Sequence, residues 1–447
     1  MGSSRISSVQ LIIFGLIAFF VLIALLLLLG IIGGGGNSTQ TGGDLTVWGF
    51  DEEGPWRTLS SGFTAKNTGI RITYKQISKD NYESELVNAL AAGNGPDVFM
   101  LKNSNIHDDT DKISSVADAY PATEKATQII ERDEFKRTFV DGTYEGLVTP
   151  AGDILGLPLS LDSLVLFYNK DFFNSANIPS PPQTWTDFLN DAAKLNDISP
   201  DGSINRSGGA LGEYTNIDHF ADIVSAFIFQ AGGRIYDPVK NQVLMATPLP
   251  SSQSIPAHSA VEFYTSFASP KQKNYSWNRT FPNSTDAFIQ EKTAMMLGFA
   301  GDIKTIREQN PHLNFMTAPL PQLSKTAPKV YYGRYNFLAV SHLSKLKALA
   351  WRFVYFAATH DAAKKYITET SLPPARRDLV LDTKTVPDEL VAFYNQSLSA
   401  KTWIQPGESR VSDIFADMID AVLRGKFDVG SAVSRATSAL SLLVQKR

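Results

Sequence analysis

The chain has 447 residues, 43% of them hydrophobic, and carries 41 Lys and Arg against 45 Asp and Glu for a formal net charge of −4. The basic residues are scattered rather than massed, which argues against nucleic acid as a partner. Cysteine is absent, so disulfides are excluded and a core must supply the stability. More than four hundred residues suggest two domains rather than one.

Residues 9–32, "VQLIIFGLIAFFVLIALLLLLGII", contain no charged residue. At about 1.5 Å per residue a helix of this length spans roughly 36 Å, enough for a hydrocarbon core of roughly 30 Å. The segment is expected to be a single-pass membrane anchor, retained because it is longer than the apolar region of a signal peptide. Arg5 is the only charged side chain in the preceding residues 1–8, which predicts a short cytoplasmic N-terminus and an extracellular or periplasmic soluble part. Residues 33–43, "GGGGNSTQTGG", read as a flexible linker of about 18 Å end to end.

From Asp44 the pattern alternates: "DLTVWGF", then "PWRTLSSGFTAKNTG", "IRITYKQI", "NYESELVNALAAG" and "DVFMLK". Trp56, Leu59 and Phe63 share one helical face, with Pro55 suited to the first helical position and Gly69 to the end. Tyr82, Leu86 and Leu90 repeat the pattern between an Asp80 N-cap and a Gly93 stop. Strand, helix, strand, helix, strand predicts an α/β unit with a parallel sheet. Ligands bind beyond the carboxyl ends of such strands. Two loops therefore matter: Asp51, Glu52 and Glu53 after the first strand, and Asn103, Ser104 and Asn105 after the third. The Gly-x-Gly at Gly93 and Gly95 precedes a strand, whereas a phosphate loop follows one, so a nucleotide site fails on order and Asp97 is expected to serve the turn.

Further on, Pro179, Pro181 and Pro182 force an extended entry to a helix with a Thr184–Asp187 capping box and a Trp185, Phe188, Leu189, Ala192, Leu195 face. Long amphipathic stretches are predicted over 345–369 and 412–424. The six histidines show no metal-ligand pairing, and "HDDTD" at 107–111 lacks the glycine and terminal glutamate of a calcium loop. No metal and no cofactor are expected. Asn-x-Ser/Thr sites occur at Asn37, Asn205, Asn274, Asn278, Asn283 and Asn395.

"LTVWGF", "AAGNGPDVFM", "GLPLSLDSLVLFYNKDFFNSANIPSPPQTWTDF", "TAMMLGFAGD" and "SLPPARRD" stand in the order seen in extracellular solute-binding proteins of ABC transporters. The chain resembles their sugar-binding branch, typified by maltose-binding protein, from Asp44 to the C-terminus. The resemblance implies a two-lobed periplasmic-binding-protein-like α/β fold with a ligand cleft between lobes, preceded here by the membrane helix. It implies crossings near Leu157–Asp162, Gly333–Asn336 and Pro373–Arg376. The first lobe would hold 44–157 plus 335–372, and the second 158–334 plus 373–447. The expected function is capture of a sugar or related polar solute and delivery to a permease, without catalysis and as a monomer. Bacterial relatives carry a lipidated cysteine, which the helix would replace. The loop Leu101–Asn105 lacks the aromatic platform of maltose binders, which points away from maltodextrin.

A sugar site combines hydrogen-bonding carboxylates or amides with aromatic faces. The family position makes Asp162 a ligand contact, and Asp302 follows the strand that the family places at the cleft rim. Trp277, Phe299, Tyr332, Tyr335 and Trp403 are stacking candidates, because they lie in loops or at crossings, and Arg334 stands beside the second crossing. Trp48, Trp56, Trp185 and Trp351 are expected to pack in the core. Two rival readings are a surface-anchored glycoside hydrolase using a carboxylate pair and a sensory or adhesive sugar-binding module without a permease.

Overall fold

The computed structural model describes residues 43–120 and 129–445. The expected anchor at 9–32 and nearly all of the linker lie outside them. Among the described residues no helix is long and apolar enough to cross a membrane.

The first three strands are β1 (Gly43–Gly49), β2 (Ile70–Gln76) and β3 (Val98–Lys102). They form the expected parallel unit, with β1 between β2 and β3. Helix α1 (Glu53–Thr64) begins two residues before Pro55, which stays in the first turn, where no backbone N–H donor is needed. Its Trp56 is fully buried and stacks on Tyr74 at 4.7 Å, while Phe63 meets Phe353 and Phe356 edge-on at 5.4 Å. Helix α2 (Tyr82–Ala91) takes Asn81, not Asp80, as N-cap, and has no side-chain cap bond. It ends as expected, with Gly93 at φ +74° and the Asn94 amide bonded to the Ala89 carbonyl.

The same sheet gains strands that composition does not announce. Strand β4 (Leu157–Ser163) continues through Leu164 into β5 (Val165–Asn169), but the two belong to different sheets. Strand β5 lies between β6 (Met295–Gly298) and β7 (Phe315–Ala318), antiparallel to both. The chain then enters β8 (Tyr331–Ser341), which pairs antiparallel with both β3 and β4, while β9 (Ala400–Lys401) adds parallel to its start. The order is β9-β8-β3-β1-β2, with β4 and the short strand Ile113–Ser114 also on β8. Residues 373–376 run beside β4, where the Leu161 amide bonds to Pro373 O at 3.1 Å and Ser160 bridges Pro374. The three segments expected as crossings therefore lie side by side, two of them as paired strands of the larger sheet.

Helix α3 (Trp185–Leu195) carries the Thr184–Asp187 capping box and buries Trp185, Phe188, Ala192 and Leu195. Helix α4 (Phe220–Gln230) is buried along almost its whole length, Asp222 included. Helix α5 (Ala300–Gln309) follows β6. The stretch 345–369 is two helices, α6 (Lys347–Ala357) and α7 (His360–Thr370), broken at Ala358–Thr359. Helix α8 (Asp388–Ser397) packs against β4 and β7. Helix α9 (Glu408–Leu423) begins four residues before the expected start at 412 and packs on α10 (Val429–Gln445).

Candidate functional site between the two sheets

Asp162, near the end of β4, and Arg334 on β8 are cross-strand partners. Both Asp162 oxygens accept from the Ala300 amide, at 3.1 and 3.0 Å, at the N-terminus of α5. The helix end is positive and stabilises a carboxylate there. Burial nevertheless outweighs that bond and pushes the Asp162 carboxyl up to about 7.

Asp302 closes the first turn of α5 by accepting the Phe299 amide at 2.8 Å, and its Oδ2 lies 3.3 Å from His219 Nε2. Burial opposes charge on both members, but their mutual hydrogen bond wins, so Asp302 is held below and His219 above its ordinary value. His219 sits at φ +60°, just before α4, with its ring edge on Phe299 at 4.9 Å.

Arg334 joins this group to a second. Its Nε donates to Asp222 Oδ1 at 3.0 Å, its Nη2 donates to Asp222 Oδ2, and its Nη1 lies 3.1 Å from Glu408 Oε1. Its guanidinium also lies over the Phe299 ring at 5.0 Å. Glu408 Oε2 receives Lys102 Nζ at 3.1 Å and Ser104 Oγ at 3.4 Å. Burial alone would raise the Glu408 carboxyl, but Arg334 and Lys102 hold it down at about 2. The result is four carboxylates, two cations and a histidine around one aromatic ring, contributed by β3, β4, β8, α4, α5 and α9.

Asp162, Phe299, Asp302, Arg334 and Ser104 thus come together. Asn105 is half-buried nearby at the start of the short helix Ile106–Asp109. Asn103 is engaged internally: its Oδ1 accepts from the Tyr335 amide at 3.1 Å and its Nδ2 donates to Trp403 O at 3.4 Å. Of the three acids after β1, only exposed Glu52 reaches across, to Lys304 of α5 at 2.6 Å. Asp51 is tied to α7 and β2, its Oδ2 accepting from the Tyr366 hydroxyl at 2.5 Å and its carbonyl from Tyr74 at 2.7 Å. Glu53 points to solvent, 3.9 Å from Arg57.

The stacking candidates need correction. Trp277 is fully buried on Phe281 at 4.5 Å, with its Nε1–H given to Asn216. Tyr332 and Tyr335 lie inside β8, buried; Tyr332 packs on Phe229 and accepts from Gln405, and Tyr335 fits so tightly that a Cβ on Gly146 would meet its hydroxyl. None offers a free face in this conformation: Trp277 lies in a packed irregular segment, and β8 is covered on both faces, so Tyr332 and Tyr335 are buried alike. Trp403 is buried, bonded through its carbonyl to Asn103, and lines a cavity whose other walls lie outside the cluster. His219, Asp222 and Glu408 escaped sequence reading. The available signal was Asp222: a lone carboxylate in "FADIVSAFIF" must find a partner if that helix is buried.

Two α/β layers facing each other across a charge-lined polar cleft are the build of a protein that binds a small solute between its lobes. The chain belongs to the family of bacterial extracellular solute-binding proteins, whose pattern matches residues 59–392. It is 23% identical over 402 residues to a binding protein of Brucella abortus, covering 88% of this chain and 90% of that one. To the diacetylchitobiose-binding protein of Streptomyces coelicolor it is 25% identical over 328 residues, 71% of this chain and 69% of the other. Its two-lobed fold matches the crystal structure of the cyclic α-maltosyl-1,6-maltose-binding protein of Arthrobacter globiformis at a TM-score of 0.73, with 16% identity, over 91% of this chain and all of that one. Membership in this family sets the hydrolase reading aside, because its members bind solutes.

Proposed function

We propose that the protein is held at the membrane by residues 9–32, captures a sugar or related polar solute by closing its lobes, and delivers it to the permease of an ABC transporter. In this reading the lobes are 44–157 plus 335–372 and 158–334 plus 373–447, and the ligand contacts are drawn from Ser104, Asn105, Asp162, Phe299, Asp302, Arg334 and Glu408. The observation that carries it is the convergence of Lys102 and Ser104, from the first of these lobes, on Glu408 of the second. Carboxylates and a guanidinium around an aromatic ring suit a hydroxylated ligand, which accepts and donates at each oxygen. The sugars named for the Streptomyces and Arthrobacter proteins support the same class.

Closure requires only that the ligand bind one arrangement of the lobes better than the other. Calorimetry of the chain against mono- and oligosaccharides is expected to give micromolar binding, about −8 kcal/mol, with the sugar recovered unchanged. Binding of an amino acid or peptide and of no sugar would overturn the solute class and leave the fold.

A further inference from the structure

Glu408 stands apart from the other acids of the cluster. Its carboxylate is held by three donors: Lys102 Nζ at 3.1 Å, Ser104 Oγ at 3.4 Å and Arg334 Nη1 at 3.1 Å. Its side chain is 38% exposed, against 2% for Asp222, so it has room to leave. It is the first residue of α9 and follows Pro406 and Gly407, the latter at φ +87°. Swung outward, Glu408 would still lie in the first turn of that helix, where a negative charge is favoured. Leaving would therefore cost it three donors and little else. The other acids are engaged elsewhere: Asp222 by the fork of Arg334, Asp302 by His219 and the Phe299 amide, and Asp162 by the Ala300 amide. The ammonium of Lys102 meets Glu408 and no other acid among the described residues.

We infer that Glu408 here occupies the seat of a ligand carboxylate, and that the solute is a sugar acid, such as a uronate, whose single carboxylate displaces Glu408 and takes Lys102, Ser104 and Arg334. An ammonium, a hydroxyl and a guanidinium nitrogen converging on two oxygens are what a carboxylate needs, and such charge-assisted bonds are the strong ones. The charges around the seat call for one negative group. With Glu408 away, Lys102 lacks a counter-charge, while Arg334 keeps Asp222 and His219 keeps Asp302. Burial keeps Asp162 mostly protonated at pH 6, so it adds no opposing charge there. A phosphate would bring a second charge toward Asp222 and Asp302, which disfavours it. Glu408 is then an internal competitor. A neutral sugar that dislodged it would leave Lys102 without an anionic partner, so the same side chain selects against neutral sugars. The inference rests on the cluster being the solute site and names the class of solute it takes.

The test is calorimetry on the full chain in detergent micelles at pH 6, with D-glucose, D-galactose, D-glucuronate, D-galacturonate, D-glucose 6-phosphate and L-lactate as probes. A uronate should bind about tenfold tighter than its neutral counterpart, or better. Glu408→Gln keeps the shape of the side chain and removes its charge, so it should tighten the uronate further. A glutamate that merely contacts the ligand would lose affinity on the same change. Neutral sugars binding as tightly as the uronates would overturn the sugar acid and leave sugar capture standing. A uronate that binds Glu408→Gln more weakly than wild type would overturn the displacement, and tighter binding of the phosphate would overturn the carboxylate. Lactate bound with no sugar bound would uphold the carboxylate seat and sink sugar capture; with no probe bound, both fall.

Discussion

Asp97 accepts the amide and the hydroxyl of Thr46 at 2.9 and 3.0 Å and the hydroxyl of Ser344 at 2.6 Å. Its duty is therefore to tie β1 to the exit of β8 rather than to shape its own turn. Asp97→Ala should lower unfolding stability by about 1–3 kcal/mol and leave ligand affinity unchanged, as urea denaturation and calorimetry would report together. Asp162 is the opposite kind of carboxylate. Its folded-state value lies above that of an unfolded aspartate, so the folded chain binds the proton more tightly. The stability this proton brings is complete below about pH 4 and is lost as pH rises through about 7. His219, raised by Asp302, acts in the same direction. Glu408, lowered by Arg334 and Lys102, acts in the other: its contribution is present above the ordinary glutamate value and fades as pH falls through about 2. Urea midpoints between pH 5 and 8 should therefore fall less steeply in Asp162→Asn than in wild type; equal slopes would remove Asp162 as the cause.

At the scale of elements, the β1–α1–β2–α2–β3 unit was legible because local pattern and local glycine chemistry specify it. Trp56, Leu59 and Phe63 fix one helical face, and Gly93 at φ +74° ends the next helix. Strand β8 was legible only as a crossing, since its antiparallel pairing with β3 joins residues more than two hundred positions apart. That pairing, with both faces of β8 covered, buries Tyr332 and Tyr335 in this conformation. The break between α6 and α7 at Ala358–Thr359 has no glycine or proline to mark it. Asp162 was singled out through family resemblance, whereas its neighbours His219 and Asp222 sit where apolar periodicity alone suggests packing. The loop after β3 divides its labour. Ser104→Ala removes a contact to Glu408 at the cleft and should weaken ligand binding with little loss of stability. Asn103→Ala breaks two internal bonds and should lower stability first. At the start of α3, Thr184→Ala removes one arm of a complete capping box and should cost about 1 kcal/mol in denaturation.

At the scale of the molecule, the proposed closure would pivot on three adjacent segments, the paired strands β4 and β8 and residues 373–376 beside β4. The contacts between the proposed lobes include Glu52 with Lys304, Lys102 and Ser104 with Glu408, and Asp108 with Arg410. Exposed pairs such as Glu52–Lys304 hold little on their own, so in the proposed closure the ligand supplies most of the free energy that keeps the lobes together. The chain has no cysteine, which permits clean paired spin labelling at exposed Glu83→Cys on α2 and Asn190→Cys on α3. The distance between those labels, measured by pulsed electron resonance with and without a sugar that binds, is the most direct test of capture by closure. The account predicts a broad or longer distribution without sugar that collapses onto the separation seen in this structure at saturation. An unchanged distribution at saturating sugar would contradict it.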